Sequence, residues 1–224
     1  MNRFIKIFRN FKRRRISNNS FEKLYTHGTL LNSFRIKRMI FFHIPKTAGV
    51  SIIRSIFGNV TLESHRRVWF YKNIFGELYN DYYKFTVVRN PWDRLHSAYE
   101  FLKKGGLNDN DRRSYENYLS KYNNFEDFVI NGLDKNIINK IVHFIPQYEF
   151  ICDDSGDINL DYILRFENLD NDIKCLSSII KEEIKLDHHN FNPKIKYTDV
   201  YNNKMVIKVN EIYHEDIIRF GYKF

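Results

Sequence analysis

Apolar positions along this chain follow two periods, unbroken runs that suit buried strands and i, i+3, i+4 stripes that suit helices packed on them. Residues 39–44, Met-Ile-Phe-Phe-His-Ile, form the first run, as expected of a strand buried on both faces of a parallel sheet, with His43 its one polar interruption. From Gly49 onward Val50, Ile53, Ile56 and Phe57 fall on one helical face. Phe85, Val87 and Val88 make a second short strand, and beyond Arg89-Asn90-Pro91 a second stripe follows at Leu95, Ala98, Tyr99 and Leu102. Asn90 suits an N-cap there and Pro91 a first helical position. Residues 162–166 read as another core strand and residues 170–183 as a helix with Ile173, Leu176 and Ile180 inward. Helical stripes also run through Trp69, Tyr71, Ile74 and Leu78, through two short segments between 125 and 142, and through Val206, Val209, Ile212 and Tyr213. Residues 104–124 are polar and read as a long loop. Strands alternating with helices predict an α/β fold on a parallel sheet.

The chemistry gathers at the two strand-to-helix turns. The first carries Pro45, Lys46, Thr47, Ala48 and Gly49. A helix start has unpaired N–H groups and a partial positive charge, so it favours a phosphate or sulfate. Lys46 adds a full charge, Thr47 and Ser51 add hydroxyl donors, and Ala48-Gly49 lets an anion approach the backbone. A Walker A loop places its lysine after the last glycine of a longer loop; here the lysine comes first. At the second turn Arg89 ends a strand beside another helix N-terminus, with Ser97 two turns further along, so that both point at one anion. Read singly, Arg89 also suits a structural ion pair and Ser97 helix packing. Arg94 reads as structural, and Asp93 as a first-turn acid favoured by the helix dipole.

The run His43-Ile44-Pro45-Lys46-Thr47-Ala48-Gly49-Val50-Ser51-Ile52 resembles the 5'-phosphosulfate motif of sulfotransferases that use 3'-phosphoadenosine-5'-phosphosulfate (PAPS), in the form found in their carbohydrate-modifying branch. Arg89 to Tyr99 resembles the same enzymes' 3'-phosphate motif. Arg165-Phe166-Glu167-Asn168-Leu169 and the ending Asp216 to Tyr222 are similar to further family phrases, so the likeness spans about residues 38–224. It implies a P-loop-like three-layer α/β/α fold with a central parallel sheet. It also implies PAPS as co-substrate, held by Lys46, Thr47, Ala48, Gly49, Val50 and Ser51 on one side and by Arg89 and Ser97 on the other. Lys194 and Lys196 match a basic loop that closes over the nucleotide. Lys46 would be catalytic, and no metal is implied, because lysine and backbone dipoles supply the compensation. In enzymes of the heparan sulfate (uronyl) 2-O-sulfotransferase type a catalytic histidine precedes the Arg-Asn-Pro strand; His65 aligns with it, and a histidine suits the base that sulfuryl transfer to an alcohol needs. The same histidine also reads as an ordinary surface residue.

The expected acceptor is a saccharide or polysaccharide, with residues 104–124 as its loop. Asp109-Asn110-Asp111 within that loop reads as solvated. His143 and Gln147 suit either acceptor contact or structural roles. A nucleotide-dependent kinase and a non-catalytic module for PAP or sulfated glycan stand as alternatives, the first weakened by the absent Walker A order and magnesium carboxylate.

Composition narrows the setting. The formal charge is +9, yet residues 1–20 hold seven Lys or Arg and no acid, leaving 29 bases against 27 acids elsewhere. The pI of about 9.4 thus belongs to the N-terminus, and nucleic acid is not an expected partner. Residues 1–15 alternate apolar and basic side chains, which reads equally as an amphipathic segment on an anionic membrane or as a basic tail. We expect a tail over 1–20 and a single domain over 21–224. Cys152 and Cys175 have neither metal-ligand nor redox spacing and read as free thiols. No run reaches the about 18 apolar residues of a membrane span, and no signal-peptide core is present. Relatives in eukaryotes are usually anchored Golgi proteins, so the expectation here is a cytoplasmic enzyme, bacterial or viral.

Overall fold

The computed structural model describes residues 16–186 and 196–224. Three parallel strands, β1 (Met39–Phe42), β2 (Tyr83–Val88) and β3 (Tyr162–Arg165), lie side by side in chain order. Met39 pairs with Tyr83 and Phe85 with Tyr162, so β2 is central and Val88 at its end lies opposite Arg165. Parallel neighbours need long crossovers, and helices supply them. Before β1 come α1 (Asn18–Glu22) and α2 (Leu30–Lys37); between β1 and β2 run α3 (Gly49–Phe57), α4 (Val68–Phe75) and α5 (Leu78–Asp81). The second crossover holds α6 (Pro91–Lys103), α7 (Asp109–Tyr118), α8 (Phe125–Asp127), α9 (Ile137–Lys140) and α10 (Tyr148–Ile151). After β3 come α11 (Leu169–Ile180), α12 (Asn203–Ile212) and α13 (His214–Phe220). The fold is α/β, a parallel sheet flanked by helices, as the alternation predicted.

β1 is buried throughout and β2 at all but its first residue. One core wraps this sheet, from Phe34 and Tyr71 through Phe41, Phe42 and Phe85 to Leu164 and Leu176. A second core is helical, built of Trp92, Tyr99, Phe128, Phe144, Val209 and Tyr213. Each fully buried ring among these contributes about 2 kcal/mol of transfer free energy. α6 begins at the carboxyl end of β2 and its buried face belongs to the second core, so the seam between the cores opens at the strand ends, where open α/β sheets bind ligands.

Several expectations change. β1 ends at Phe42 rather than at residue 44, because the Ile44 N–H turns back to the Phe42 carbonyl at 3.1 Å. In β3 only Leu164 is buried, as befits an edge strand rather than a core one. Leu78 is half exposed on its own short helix. The largest correction concerns residues 104–124, which contain the ten-residue helix α7 in place of a long loop. Its sequence is polar almost throughout, and its one buried residue is Asp111. What builds it is capping: the Asn108 side chain accepts from the N–H groups of Asn110 and Asp111, and Asp109 and Asp111 sit where the dipole favours acids. Among the described residues no helix is long and apolar enough to cross a membrane. The segment 1–15, His188, His189 and Lys194 lie outside the described residues.

Candidate active site

Residues 43–48 carry the chain from β1 into α3. Lys46 (φ 69°) and the N-cap Ala48 (φ 63°) both adopt left-handed backbone, which costs a non-glycine residue about 1 kcal/mol, so the surroundings must hold the turn. The braces lie behind it. Arg89 Nη1 donates to the Lys46 carbonyl at 3.0 Å, Arg94 Nη1 makes a longer 3.5 Å contact to the Pro45 carbonyl, and Thr47 Oγ1 donates to the Ile44 carbonyl at 2.9 Å. A trans peptide points its N–H away from its C=O, so tying these carbonyls back turns the N–H groups of Lys46 and Thr47 the other way. No side chain caps α3, and no acceptor among the described residues takes the backbone N–H groups of Lys46, Thr47, Ala48 or Gly49. Such a nest at a helix start fits a phosphate or sulfate. His43 supplies its wall: a Cβ on Gly49 would lie 1.9 Å from the His43 ring, which is why glycine stands there.

The Lys46 ammonium lies 3.9 Å above the Phe101 ring and has no carboxylate partner among the described residues. Burial first, then the Arg89 guanidinium, pushes its pKa down to about 8. Arg89 itself is held on every side. Its Nε donates to Asp93 at 2.8 Å, and its guanidinium lies 4.0 Å over the Phe166 ring. Its main chain is clamped by the fully buried Gln147 amide, which accepts from the Arg89 N–H at 2.9 Å and donates to the Arg89 carbonyl at 2.8 Å. Asp216 in turn takes the N–H groups of Gln147 and Tyr148 at 2.7 and 2.9 Å, and burial pushes its carboxyl up to about 6. Gln147 is therefore structural and out of an acceptor's reach.

The start of α6 is closed. Asn90 Oδ1 accepts from the N–H groups of Trp92 and Asp93 at 3.0 and 3.4 Å, and Glu167 takes the Asn90 N–H. Asn90 is thus the N-cap that the sequence suggests, and the groups left near this turn are the Arg89 guanidinium just ahead of α6 and, one turn past Asp93, the half-buried Ser97 hydroxyl. Ser51 and Val50 are half-buried in the first turn of α3, and the Thr47 hydroxyl is already engaged. Lys196 is exposed just ahead of Tyr197, whose hydroxyl accepts from the Asn90 side chain at 3.2 Å. Arg94 is structural, as its sequence context suggested: it is 1% exposed, and Nη2 donates to the Ile145 carbonyl at 2.7 Å.

Across the turn lies a histidine cluster. His65 Nδ1 stands 2.8 Å from the His43 carbonyl, which can only accept, so Nδ1 carries the proton and Nε2 the free lone pair. Burial, partly offset by that bond, pushes the His65 pKa down to about 4, leaving a neutral ring of fixed tautomer. The ring lies 4.3 Å from that of His43 and 5.8 Å from that of His143. His143 Nε2 is bonded to Asp111 Oδ1 at 2.9 Å, both side chains buried. Asp111 is the site residue that sequence reading missed. The Asn108-x-x-Asp111 spacing, a capping signature, is the signal that marks its helix start.

Residues 33–223 match the family model described as Sulfotransferase family. No curated protein and no solved structure matches the chain.

Proposed function

The chain belongs to the sulfotransferase family, matched over more than three quarters of its length, and from that premise we propose that it moves the sulfuryl group of PAPS to a hydroxyl of a saccharide acceptor by in-line displacement. One observation supports the proposal: the 3.0 Å bond from Arg89 to the Lys46 carbonyl joins the turns of both motifs, near enough for one nucleotide to reach both. PAPS supplies an activated sulfuryl group on a phosphate. The N–H groups of Lys46 to Gly49 would hold its 5' side, and the Lys46 ammonium, still protonated at neutral pH, would offset charge on the departing oxygen. Arg89 has donors left on Nη2 for the 3'-phosphate, and by the resemblance Ser97, Lys194 and Lys196 would join it there. The cleft next to Arg89, about 340 Å³ and lined by Asp93, Phe166, Glu167, Asn168 and Asp170, is too acidic for a phosphate and suits the uncharged, amino-bearing adenine. His65 Nε2 would take the hydroxyl proton.

The test is transfer of labelled sulfate from PAPS to a glycan panel, with ATP and magnesium in parallel. We expect sulfation from PAPS alone. Phosphate transfer from ATP, or PAP binding with no turnover on any acceptor, would instead favour the kinase or binding-module reading. His65→Ala is expected to leave PAP affinity within about twofold and to lower turnover by about a hundredfold or more, the usual contribution of a general base.

A further inference from the structure

Asp111 and His143 have no part in the chemistry above, yet both are built into the site. They come from α7 and from the 3-10 turn Val142–Phe144, 32 residues apart, and their side chains are 9% and 8% exposed. The second carboxylate oxygen takes the Leu107 N–H at 3.0 Å and the Asn108 amide at 3.1 Å, and Gly106 packs so closely that a Cβ there would lie 2.1 Å from the Asp111 Cβ. Burial opposes charge on Asp111, but the His143 and Leu107 bonds outweigh it and hold the carboxyl below its ordinary range. His143 Nδ1 is sealed from solvent without a partner. An ionised carboxylate oxygen can only accept, so His143 Nε2 carries the proton of the bond to Asp111 and the charge of the pair lies on the carboxylate. The same ring lies edge-on to His65 at 5.8 Å and 5.0 Å from Phe101, the ring beneath Lys46.

The groups that act on His65 are His43 from the turn after β1, His143 from the 142–144 turn, Asp111 from α7 and Arg94 from α6. Asp111 is the anion among them. We propose that Asp111 and His143 are positioning residues for His65, a buried carboxylate and the ring that holds it, which stabilise the positive charge His65 gains when its Nε2 takes the proton of the acceptor hydroxyl. The inference rests on His65 as the base.

Its test is NMR titration of the His65 Cε1 resonance in full-length, PAP-bound protein labelled at histidine, assigned by its loss in H65Q. Asp111→Asn is expected to make His65 titrate about one pH unit lower than wild type, as removal of one nearby buried charge implies. His143→Gln, whose amide still donates to a charged Asp111, is expected to stay within about 0.3 of wild type on the same scale. Turnover should fall about tenfold in D111N with PAP affinity within about twofold, a split that general disorder of the site would not produce. Should D111N not fold, His143→Phe, which strips the carboxylate of its ring donor and drives it toward protonation, takes its place with the same lowered midpoint expected. An unmoved His65 midpoint in D111N, or an equal drop in D111N and H143Q, overturns the proposal. If H65A keeps full turnover the base assignment falls; if H65A is inactive while D111N leaves the midpoint in place, only the present inference falls.

Discussion

The starts of α3 and α6 lie at the carboxyl ends of neighbouring strands and are finished in opposite ways. At α3 the N-cap is Ala48, no side chain reaches the free N–H groups, and the turn is braced from behind by Arg89 and Arg94. At α6 the N-cap is Asn90, its side chain fills two of those N–H positions, Pro91 removes a third, and Asp93 sits over the first turn. A cap stabilises a helix by occupying the N–H groups that a ligand would otherwise take. On the proposed reading the first unit would offer the anion its backbone, whereas the second closes its helix and would offer a side chain. The difference also explains the left-handed residues at 46 and 48: an uncapped turn keeps its shape through tertiary braces.

Gly49→Ala attacks the open unit most directly. The added Cβ meets the His43 ring at 1.9 Å, and because that ring is buried it cannot swing clear. We expect a loss of about 3 kcal/mol in urea unfolding, at the upper end of overpacking costs, together with loss of PAP binding in calorimetry. A variant of wild-type stability and affinity would show that His43 does not wall the turn. Arg89→Ala comes next. It removes a charged donor from the ligand and the brace from the Lys46 carbonyl, so PAP affinity is expected to fall about 10- to 100-fold, the range of one or two charge-assisted bonds. An unchanged affinity would detach the second unit from the site.

Acidity separates the units further. Burial, and then Arg89, push the Lys46 pKa down from its ordinary value of 10.5 to about 8. Its folded value lies below the unfolded one, so this group adds stability as pH rises from 8 toward 10.5. An anion in the nest raises the value again, so binding takes up a proton and PAP affinity should fall, by up to about tenfold per pH unit above 8. Stability and affinity thus move oppositely with pH, which thermal melts and calorimetry in two buffers would reveal. Lys46→Ala should abolish the slope.

Much of this was legible in the sequence. β1, β2, α3 and α6 announce themselves because buried strands and packed helices have distinct periods, and Asn90-Pro91 spells its own cap. α7 does not, since its sequence is polar almost throughout and its cap, one buried acid and two half-buried tyrosines stand in for an apolar stripe. The Asp111–His143 pair and the Asp216–Gln147–Arg89 clamp join residues 32, 69 and 58 positions apart. No local pattern encodes such distances. The open nest at Ala48 was foreseen from its small residues, but not the guanidiniums that brace it, because those arrive from the other unit.

Asn90→Ala gives the smallest effect and the finest test of the contrast. It removes the cap of α6 together with the bonds from its amide to the Tyr197 hydroxyl and the Lys223 carbonyl. Unfolding should be easier by about 1–2 kcal/mol, the cost of a lost cap. PAP affinity should stay within about twofold, because Arg89 remains clamped by Gln147. Calorimetry on N90A decides between two pictures. If affinity changes about tenfold or more, the amount one helix-end interaction supplies, the α6 terminus is itself part of the anion site and the two units are alike after all.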